Sequence, residues 1–543
     1  MDGQTGVFYF LMVGHCLSNT KPLAKNLNPA RHSELNASRP GVTRSMSMTT
    51  QKSLFIKSPE AWQPHAYQKK AIKFLLEHAC AALFLDPGLG KSSITLAAIK
   101  ILFQKKIAKK VLVIAPLRVC YNVWPGEIEK WQDFSNLRIE VLHGPKKDEA
   151  LKRDADIYVI NPEGLDWLLK TEKSKGSTGK TKVVVDVSKF KKMGFDTLVI
   201  DELTKFKNTN SNRFKALKQV HKTFGRRFGL TGSPAANGLL NLFGQCFILD
   251  EGQALGAYIT HYRSKYFETV DKDGFVWVPQ IGAPEKIYER LNNLALRMAA
   301  EDYLELPQMV VNNIMLELPK EARKIYDTLE EDLFASIEDK TIVAANAAVA
   351  TGKLRQVVGG ALFLDREVTE LGFKILTGKR EWVLLHDEKL TALEDLIEEL
   401  QESPLLVAYE FNHELARLRE KFPKAVFACD YKMHEFKALE DKWNAGLIPL
   451  LFGHPQSIGH GLNFQEAGNN VAWYSQTWDY ELYDQFIRRI LRQGNKSKKV
   501  FVHHFLMRDT IDVTMQWSLK AKAKGQGALF SALKELASKR KRK

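Results

Sequence analysis

The stretch "LFLDPGLGKSS", residues 83–93, decides how this chain is read. It closes a short apolar run, "AALFL" (81–85), of the length and composition of a buried strand. A turn with Gly88 and Gly90 follows, and "SSITLAAIKILFQ" then continues with helical spacing. Strand, glycine turn and helix are the setting a phosphate-binding loop requires. Gly88 and Gly90 let backbone N–H groups approach phosphate oxygens. Lys91 is spaced to reach the β- and γ-phosphates, the Ser92 hydroxyl to bind Mg²⁺, and Ser93 joins the candidate nucleotide-binding set. The first glycine of the pattern is replaced by Leu85.

Outward from this loop the chain keeps a rhythm. "AYQKKAIKFLLEHA" precedes it with helical spacing. "KVLVIAP" (110–116), "DIYVINP" (156–162), "FDTLVIDEL" (195–203) and "RRFGLTGSP" (226–234) are continuous apolar strands separated by helical segments. That pattern predicts an α/β fold with a parallel sheet covered on both faces. From about 250 to 385 the strand rhythm lapses into amphipathic helices such as "KEARKIYDTLEEDLFASI". A second series then begins: "PLLVAYEF" (404–411), "AVFAC" (425–429), "IPLLFGHP" (448–455), "NVAWYSQ" (470–476) and "VFVHHFL" (500–506). The expected organisation is a flexible leader (1–52), a first lobe (53–255), a helical linker (256–385), a second lobe (386–520) and a basic tail (521–543) ending in "KRKRK". "GSTGKT" (176–181) also contains Gly-Lys-Thr, but its glycine spacing is wrong and no strand leads into it, so it reads as a mobile basic loop.

Chemistry gathers at the ends of the first-lobe strands. "TLVIDEL" (197–203) ends in two acids, which in a parallel sheet lie at the ligand edge. Asp201 is the candidate Mg²⁺ ligand, and Glu202 the candidate group to orient and deprotonate an attacking water. "LTGSPAANGLLNLF" (230–243) brings the hydroxyls of Thr231 and Ser233 to the same edge, where they also serve as turn formers. Near the other end of the chain, "QFIRRILRQGN" (485–495) sets Arg488, Arg489 and Arg492 within five positions. Read as a helix, they share a side and repel one another. They are either a solvated face or the seat of a strong anion.

The net charge of +16 and a pI near 9.3 favour a polyanionic partner, nucleic acid first. The five cysteines (Cys16, Cys80, Cys120, Cys246, Cys429) are scattered and form no Cys/His cluster, so neither a disulfide framework nor a zinc site is expected. No apolar run is long enough to span a bilayer. His503 and His504 are adjacent and face opposite ways on a strand, which prevents joint chelation.

The motifs, in their order, resemble those of superfamily 2 helicases, specifically the Swi/Snf-like branch of double-stranded-DNA translocases. "YQKKA" resembles the adenine-side motif with Gln68, and "DPGLGKS" the phosphate loop. "VLVIAP" with Trp124, Glu127 and Trp131 resembles motif Ia and its following helix. "DELTKFKN" matches the acid motif, with Leu203 and Thr204 where Ala and His are usual. "SIGHGLNFQEAGNNVAWY" resembles motif V, and "QFIRRILRQGN" resembles motif VI, with Asn495 replacing a final Gln. The resemblance implies two RecA-like lobes that bind ATP and Mg²⁺ between them. It implies that Arg489 and Arg492 are arginine fingers, with Arg488 outside the pattern. It assigns nucleic-acid backbone contacts to Pro116, Arg118, Asn161, Tyr409, Gly459, Gly461 and Asn463. The function so implied is an ATP-dependent translocase on DNA, duplex favoured, with little sequence preference. A strand-separating DNA or RNA helicase is the nearer alternative; an ATP-binding clamp without hydrolysis and a metabolic kinase are alternatives of other classes. Compactness resembles bacterial or bacteriophage members and a cytoplasmic setting.

Overall fold

The structure is a computed structural model that describes residues 60–540 except 176–180, 270–276, 339–343, 365–380, 402 and 459–460. The leader, Gly459, most of "GSTGKT" and the last three residues of "KRKRK" lie outside the described residues. Both sheets described below belong to the unit Glu60–Lys543.

The first sheet has seven strands: β1 (Cys80–Leu85), β2 (Val111–Ile114), β3 (Ile139–Val141), β4 (Ile157–Ile160), β5 (Thr197–Asp201), β6 (Arg226–Thr231) and β7 (Ala295–Met298). Their order is β7–β1–β6–β5–β2–β4–β3, and every pairing is parallel. Alternate residues of β1 enter different cores: Ala82 and Phe84 pack on one face, Ala81, Leu83 and Leu85 on the other. The unbroken apolar runs in the sequence follow from this two-sided burial. The order also sets β1, β6 and β5 side by side, so the segments after Leu85, Thr231 and Asp201 leave the sheet at one edge.

The second sheet comprises β8 (Gln308–Leu316), β9 (Leu405–Ala408), β10 (Val426–Phe427), β11 (Leu450–Gly453), β12 (Asn470–Trp473) and β13 (Lys499–Met507), in the order β8–β13–β12–β9–β11–β10 and again all parallel. The α/β reading with two parallel lobes therefore describes the fold.

Three expectations are corrected. The segment read as a purely helical linker contributes β7 to the first sheet and β8 to the second. β8 escaped notice because it is a mostly exposed edge strand whose Asn312 and Asn313 interrupt its apolar pattern. Those asparagines face the two histidines of β13: Asn312 Nδ2 lies 3.2 Å from His503 Nδ1, and Asn313 Oδ1 3.1 Å from His504 Nδ1. The tail from 521 is the continuation of one helix, Ile511–Arg540, which packs on the first-lobe helix Ala283–Leu291, on β7 and on β13 of the second lobe. The three arginines, finally, do not share a helix. The helix Tyr480–Ile487 stops just before them, and Arg488 to Arg492 follow as turns. No helix among the described residues is long and apolar enough to cross a membrane.

Close packing at one point bears on the site. A Cβ on Gly244, in the helix Leu242–Asp250, would lie 2.6 Å from the Phe206 carbonyl and 2.7 Å from that of Lys207. Those carbonyls belong to the turn after the two acids. Gly244→Ala must push that turn away, at a cost of about 1–3 kcal/mol, read as a lowered midpoint in urea unfolding. Burial also holds His386 down at about 4 and His504 at about 3. The unfolded chain takes up these protons near pH ~6.5 and the folded chain only well below it. Stability is therefore intact above about pH 6.5 and falls as the pH drops toward 4. For His386 the loss reaches about 3 kcal/mol, and His386→Gln is expected to flatten a Tm-against-pH profile in that window.

Candidate active site

The loop after β1 turns through two residues with positive φ, Gly88 (94°) and Gly90 (78°). A Cβ on Gly90 would lie 2.7 Å from Gln68 Nε2, so this position admits only glycine while Gln68 stays in place. Gln68 is buried; its Nε2 donates to the Leu89 carbonyl at 3.3 Å and its Oε1 accepts from the His65 N–H at 2.9 Å. Lys91 Nζ donates to the carbonyl of Leu85 at 2.8 Å and of Asp86 at 3.4 Å. Burial pulls the lysine down, against the opposing pull of Glu202, Asp201 and Asp86. Ser92 opens the helix next to it. Ser93 has another task than nucleotide contact: its buried hydroxyl donates to Glu127 Oε2 at 2.7 Å, which also accepts from Trp131 Nε1 at 2.8 Å.

Asp86 anchors the loop. Its Oδ1 accepts from Arg297 Nη2 at 2.8 Å and its Oδ2 from the Ala300 N–H at 2.9 Å. Arg297 lies on β7 and is buried with Asp86. Burial works against the Asp86 charge, yet Arg488 and Arg297 hold it below the ordinary carboxylate range.

At the end of β5, Asp201 Oδ2 accepts from Trp124 Nε1 at 3.0 Å. Burial and the neighbouring Glu202 raise Asp201 to about 6, against Lys91 and the Trp124 bond. Glu202 has φ 66° and ψ 65°, a left-handed conformation rare outside glycine, which turns the chain sharply at the sheet edge. Its Oε1 lies 3.0 Å from Thr204 Oγ1 and accepts from Thr231 Oγ1 at 3.1 Å. Thr231 is thus more than a turn former. The unusual Leu203 is accommodated by Gly229 on β6, where a Cβ would lie 2.7 Å from Leu203 Cδ2.

The second lobe meets this edge directly. Arg492 Nε lies 3.5 Å from the position a Cβ on Gly88 would take, and Arg492 Nη1 donates to Asn463 Oδ1. Thr204 Oγ1 lies 2.6 Å from Glu481 Oε1, Lys207 Nζ 3.4 Å from Glu481 Oε2, and Asn237 Nδ2 3.2 Å from Asp479 Oδ1. Burial pushes Glu481 up against the pull of Lys207, with Glu202 and Asp479 adding to the rise.

The two expected fingers separate. Arg492 reaches the phosphate loop, whereas Arg489 is buried and donates to carbonyls of its own lobe, Gln485 at 2.9 Å and Leu462 at 2.8 Å. Burial, with Arg492 beside it, brings Arg489 down to about 9. Arg488 Nε donates to both carboxylate oxygens of Asp484, at 2.9 and 2.8 Å, and its charge also acts on Asp86 of the phosphate loop.

Several residues assigned to the nucleic-acid backbone face inward. Arg118 is buried, 3.7 Å over the Phe436 ring, and donates to the Ser457 carbonyl of the other lobe. Gly461 sits against Arg118, where a Cβ would be 3.5 Å from Arg118 Cγ. Asn463 holds Arg492; Tyr409 and Asn161 are buried. Pro116, Gly461 and Asn463 are half-buried. Sequence reasoning missed Arg297, Trp124 as a partner of Asp201, Asn237, Asp479 and Glu481. The ordered spacing of the motifs could have flagged Asn237; nothing in the sequence signalled the cross-cleft role of Glu481.

Against known proteins, a family profile described as SNF2-related domain matches residues 67–369. The chain belongs to the SNF2-related family. It is 33% identical over 491 residues to protein p41 of Acyrthosiphon pisum secondary endosymbiont phage 1, covering 88% of this chain and 99% of that one. It is 24% identical over 496 residues to the human DNA annealing helicase and endonuclease ZRANB3, covering 86% of this chain and 40% of that protein. An uncharacterized ATP-dependent helicase of Mycoplasma genitalium is 23% identical over 471 residues, 82% of this chain and 40% of the relative. The SNF2-related chain thus spans two fifths of the length of these two longer relatives. Its similarity to the Sulfolobus solfataricus SWI2/SNF2 ATPase core in complex with dsDNA has a TM-score of 0.38 at 21% identity, covering 85% and 91% of the two chains. Membership makes the protein a nucleic-acid-dependent ATPase.

The Asp86–Arg297 pair yields a stability test. Arg297→Met leaves a buried carboxylate without its partner and is expected to cost about 3–5 kcal/mol in chemical unfolding. The double variant with Asp86→Asn is expected to recover much of that loss.

Proposed function

We propose that this SNF2-related core is an ATP-dependent DNA translocase that hydrolyses ATP between its lobes and moves along duplex with little sequence preference. The observation that carries the reading is the approach of Arg492, from the second lobe, to Gly88 of the phosphate loop in the first. The residues present fit the nucleotide. Gly88 and Gly90 hold conformations that leave the loop backbone open to phosphate oxygens, and Lys91 stands at its mouth. Ser92 and Asp201 would hold Mg²⁺, which when bound neutralises charge on the β- and γ-phosphates. Glu202, steered by Thr231 and by its left-handed backbone, orients the attacking water and accepts its proton. Arg492 supplies positive charge as negative charge builds on the transferring phosphoryl oxygens. Arg489 supports this step by bracing the Leu462 segment that carries Asn463, the partner of Arg492.

Because these groups belong to two lobes, turnover requires the lobes to meet. Alternation of contact and separation would ratchet a bound strand. The net charge of +16 supports a polyanionic track. Contacts to phosphates, not bases, make affinity fall steeply with salt and leave sequence unread. The inward positions of Arg118, Tyr409 and Asn161 favour Pro116 and backbone groups over those side chains as the contacts in this arrangement.

The deciding experiment measures ATP turnover with duplex DNA, single-stranded DNA and RNA, alongside displacement of a triplex strand and unwinding of a forked duplex. Duplex is expected to stimulate turnover most, with triplex displaced and the fork left paired. Arg492→Ala and Lys91→Ala are each expected to lower the stimulated rate by about 10³-fold or more. Equal rates with and without nucleic acid, or an Arg492→Ala variant as fast as the native protein, would overturn the assignment.

A further inference from the structure

One short helix is bonded to both segments that would take the metal ion. The helix Trp124–Lys130 follows β2 and the helix Leu117–Asn122. Trp124 is wholly buried, in the core that also holds Val199 of β5 and Ile94 of the phosphate-loop helix Lys91–Gln104. From that core its indole N–H donates to Asp201 Oδ2 at 3.0 Å. On the same helix, Glu127 Oε2 accepts at 2.7 Å from the hydroxyl of Ser93, the neighbour of Ser92. Trp131 Nε1 donates to that same oxygen at 2.8 Å and holds Glu127 in place.

We propose that Trp124 is a positioning residue for the metal site, its indole N–H setting the orientation in which the Asp201 carboxylate meets the ion. The terminal torsion of an aspartate is broad, so its carboxylate turns easily unless something holds it. An indole is a donor only, and a ring packed on all sides has no freedom to follow a moving acceptor. The Trp124 bond therefore fixes the carboxylate and not the reverse. The Glu202 N–H and the Lys91 charge act on the same carboxylate. Those two groups belong to the acid turn and the phosphate loop, whereas Trp124 comes from a separate element rooted in the core. A ligand oriented in advance spares the ordering cost at binding. Partners of this kind commonly change metal affinity by about 10–100-fold.

Two further observations fit this role. A buried indole N–H needs an acceptor, and a backbone carbonyl suffices: Trp443 Nε1 donates to the Phe464 carbonyl at 2.8 Å. At Trp124 the acceptor is instead a carboxylate oxygen of the candidate metal ligand. The Glu127–Ser93 bond, in turn, ties the first turn of the phosphate-loop helix to the same support, so Ser92 and Asp201 are held in register by one element. Arg118, six residues before Trp124, rests on Phe436 and Ser457 of the second lobe, so a lobe contact shares that support. Glu127 also draws on the charge of Arg492, which makes Trp124 the cleaner residue to alter.

The inference rests on the proposed function, in which Ser92 and Asp201 hold the ion beside the nucleotide, and the test separates the two. Mn²⁺ binding to the full chain at saturating ADP is followed by the electron paramagnetic resonance signal of free Mn²⁺. ADP affinity in EDTA is measured by calorimetry. The proteins compared are native, Asp201→Asn, Trp124→Phe, Phe134→Leu, and a chain carrying β-(3-benzothienyl)alanine at position 124. The last keeps the size of the double ring and places sulfur where the N–H stands. Both replacements of Trp124 are expected to weaken Mn²⁺ about tenfold while metal-free ADP affinity changes less than about twofold. Phe134→Leu thins the same core without removing a donor, and is expected to keep the native Mn²⁺ affinity. If the benzothienyl protein binds Mn²⁺ as tightly as native while Asp201→Asn does not, the N–H orients nothing. If Phe134→Leu weakens Mn²⁺ as much as Trp124→Phe, core packing and not the bond is responsible. Either result overturns the positioning role and leaves the translocase reading standing. If native and Asp201→Asn bind Mn²⁺ alike in the presence of ADP, the metal assignment and the inference fall together.

Discussion

Since β1, β6 and β5 lie side by side and run the same way, the segments after Leu85, Thr231 and Asp201 all emerge at one edge of the first sheet. Nothing else about the site could be arranged without that constraint. A parallel sheet delivers each strand's following segment to the same side, so a glycine turn, a pair of acids and a hydroxyl separated by up to about 150 positions of chain become neighbours. The strands can be buried on both faces because helices cover both, which is why the sheet interior reads as uninterrupted aliphatic sequence. The loops inherit rigidity from that interior. Glu202 can be held in a left-handed backbone conformation because Leu203 behind it is locked under Gly229 and the following turn lies against Gly244.

Electrostatics at the edge follow from crowding charges where water is scarce. Burial pulls Lys91 down against the attraction of Glu202 and Asp201, and pushes Asp201 up, with Glu202 adding to the rise and Lys91 opposing it. Asp86 shows the same balance resolved differently: two arginines, one from β7 and one from the second lobe, outweigh its burial. A phosphate loop secured by a buried ion pair to a strand from later in the chain is coupled to the segment that leads into the second lobe. The path from loop to linker is then a continuous set of hydrogen bonds: Asp86 to Arg297 and to the Ala300 N–H.

Among the described residues, several polar contacts join the lobes. Arg118 with Ser457 and Phe436, Thr204 and Lys207 with Glu481, and Asn237 with Asp479 bridge the cleft by single hydrogen bonds, ion pairs and one cation–π contact. Such contacts exchange readily with water, each being worth little net free energy. That suits an interface that must part, whereas the strands on either side, packed in apolar cores, keep their shapes. The helix Ile511–Arg540, touching elements of both lobes, gives the halves a shared support outside the cleft.

The chain's own order of residues determined the two α/β lobes, the phosphate loop and the acid pair, because each depends on a local rule: apolar periodicity for the strands, glycine spacing for the loop, acids at a strand end for the edge. It also determined that Arg492 and not an apolar residue would be available to the second lobe. Tertiary structure alone decided which arginine reaches the loop, that Ser93 serves Glu127, that Arg118 is buried, and that β7 and β8 extend the two sheets from within a segment that looked helical. Those outcomes depend on pairs such as Thr204 and Glu481, 277 residues apart, and side-chain meetings at that range are set by the packing of whole sheets and not by any spacing along the chain.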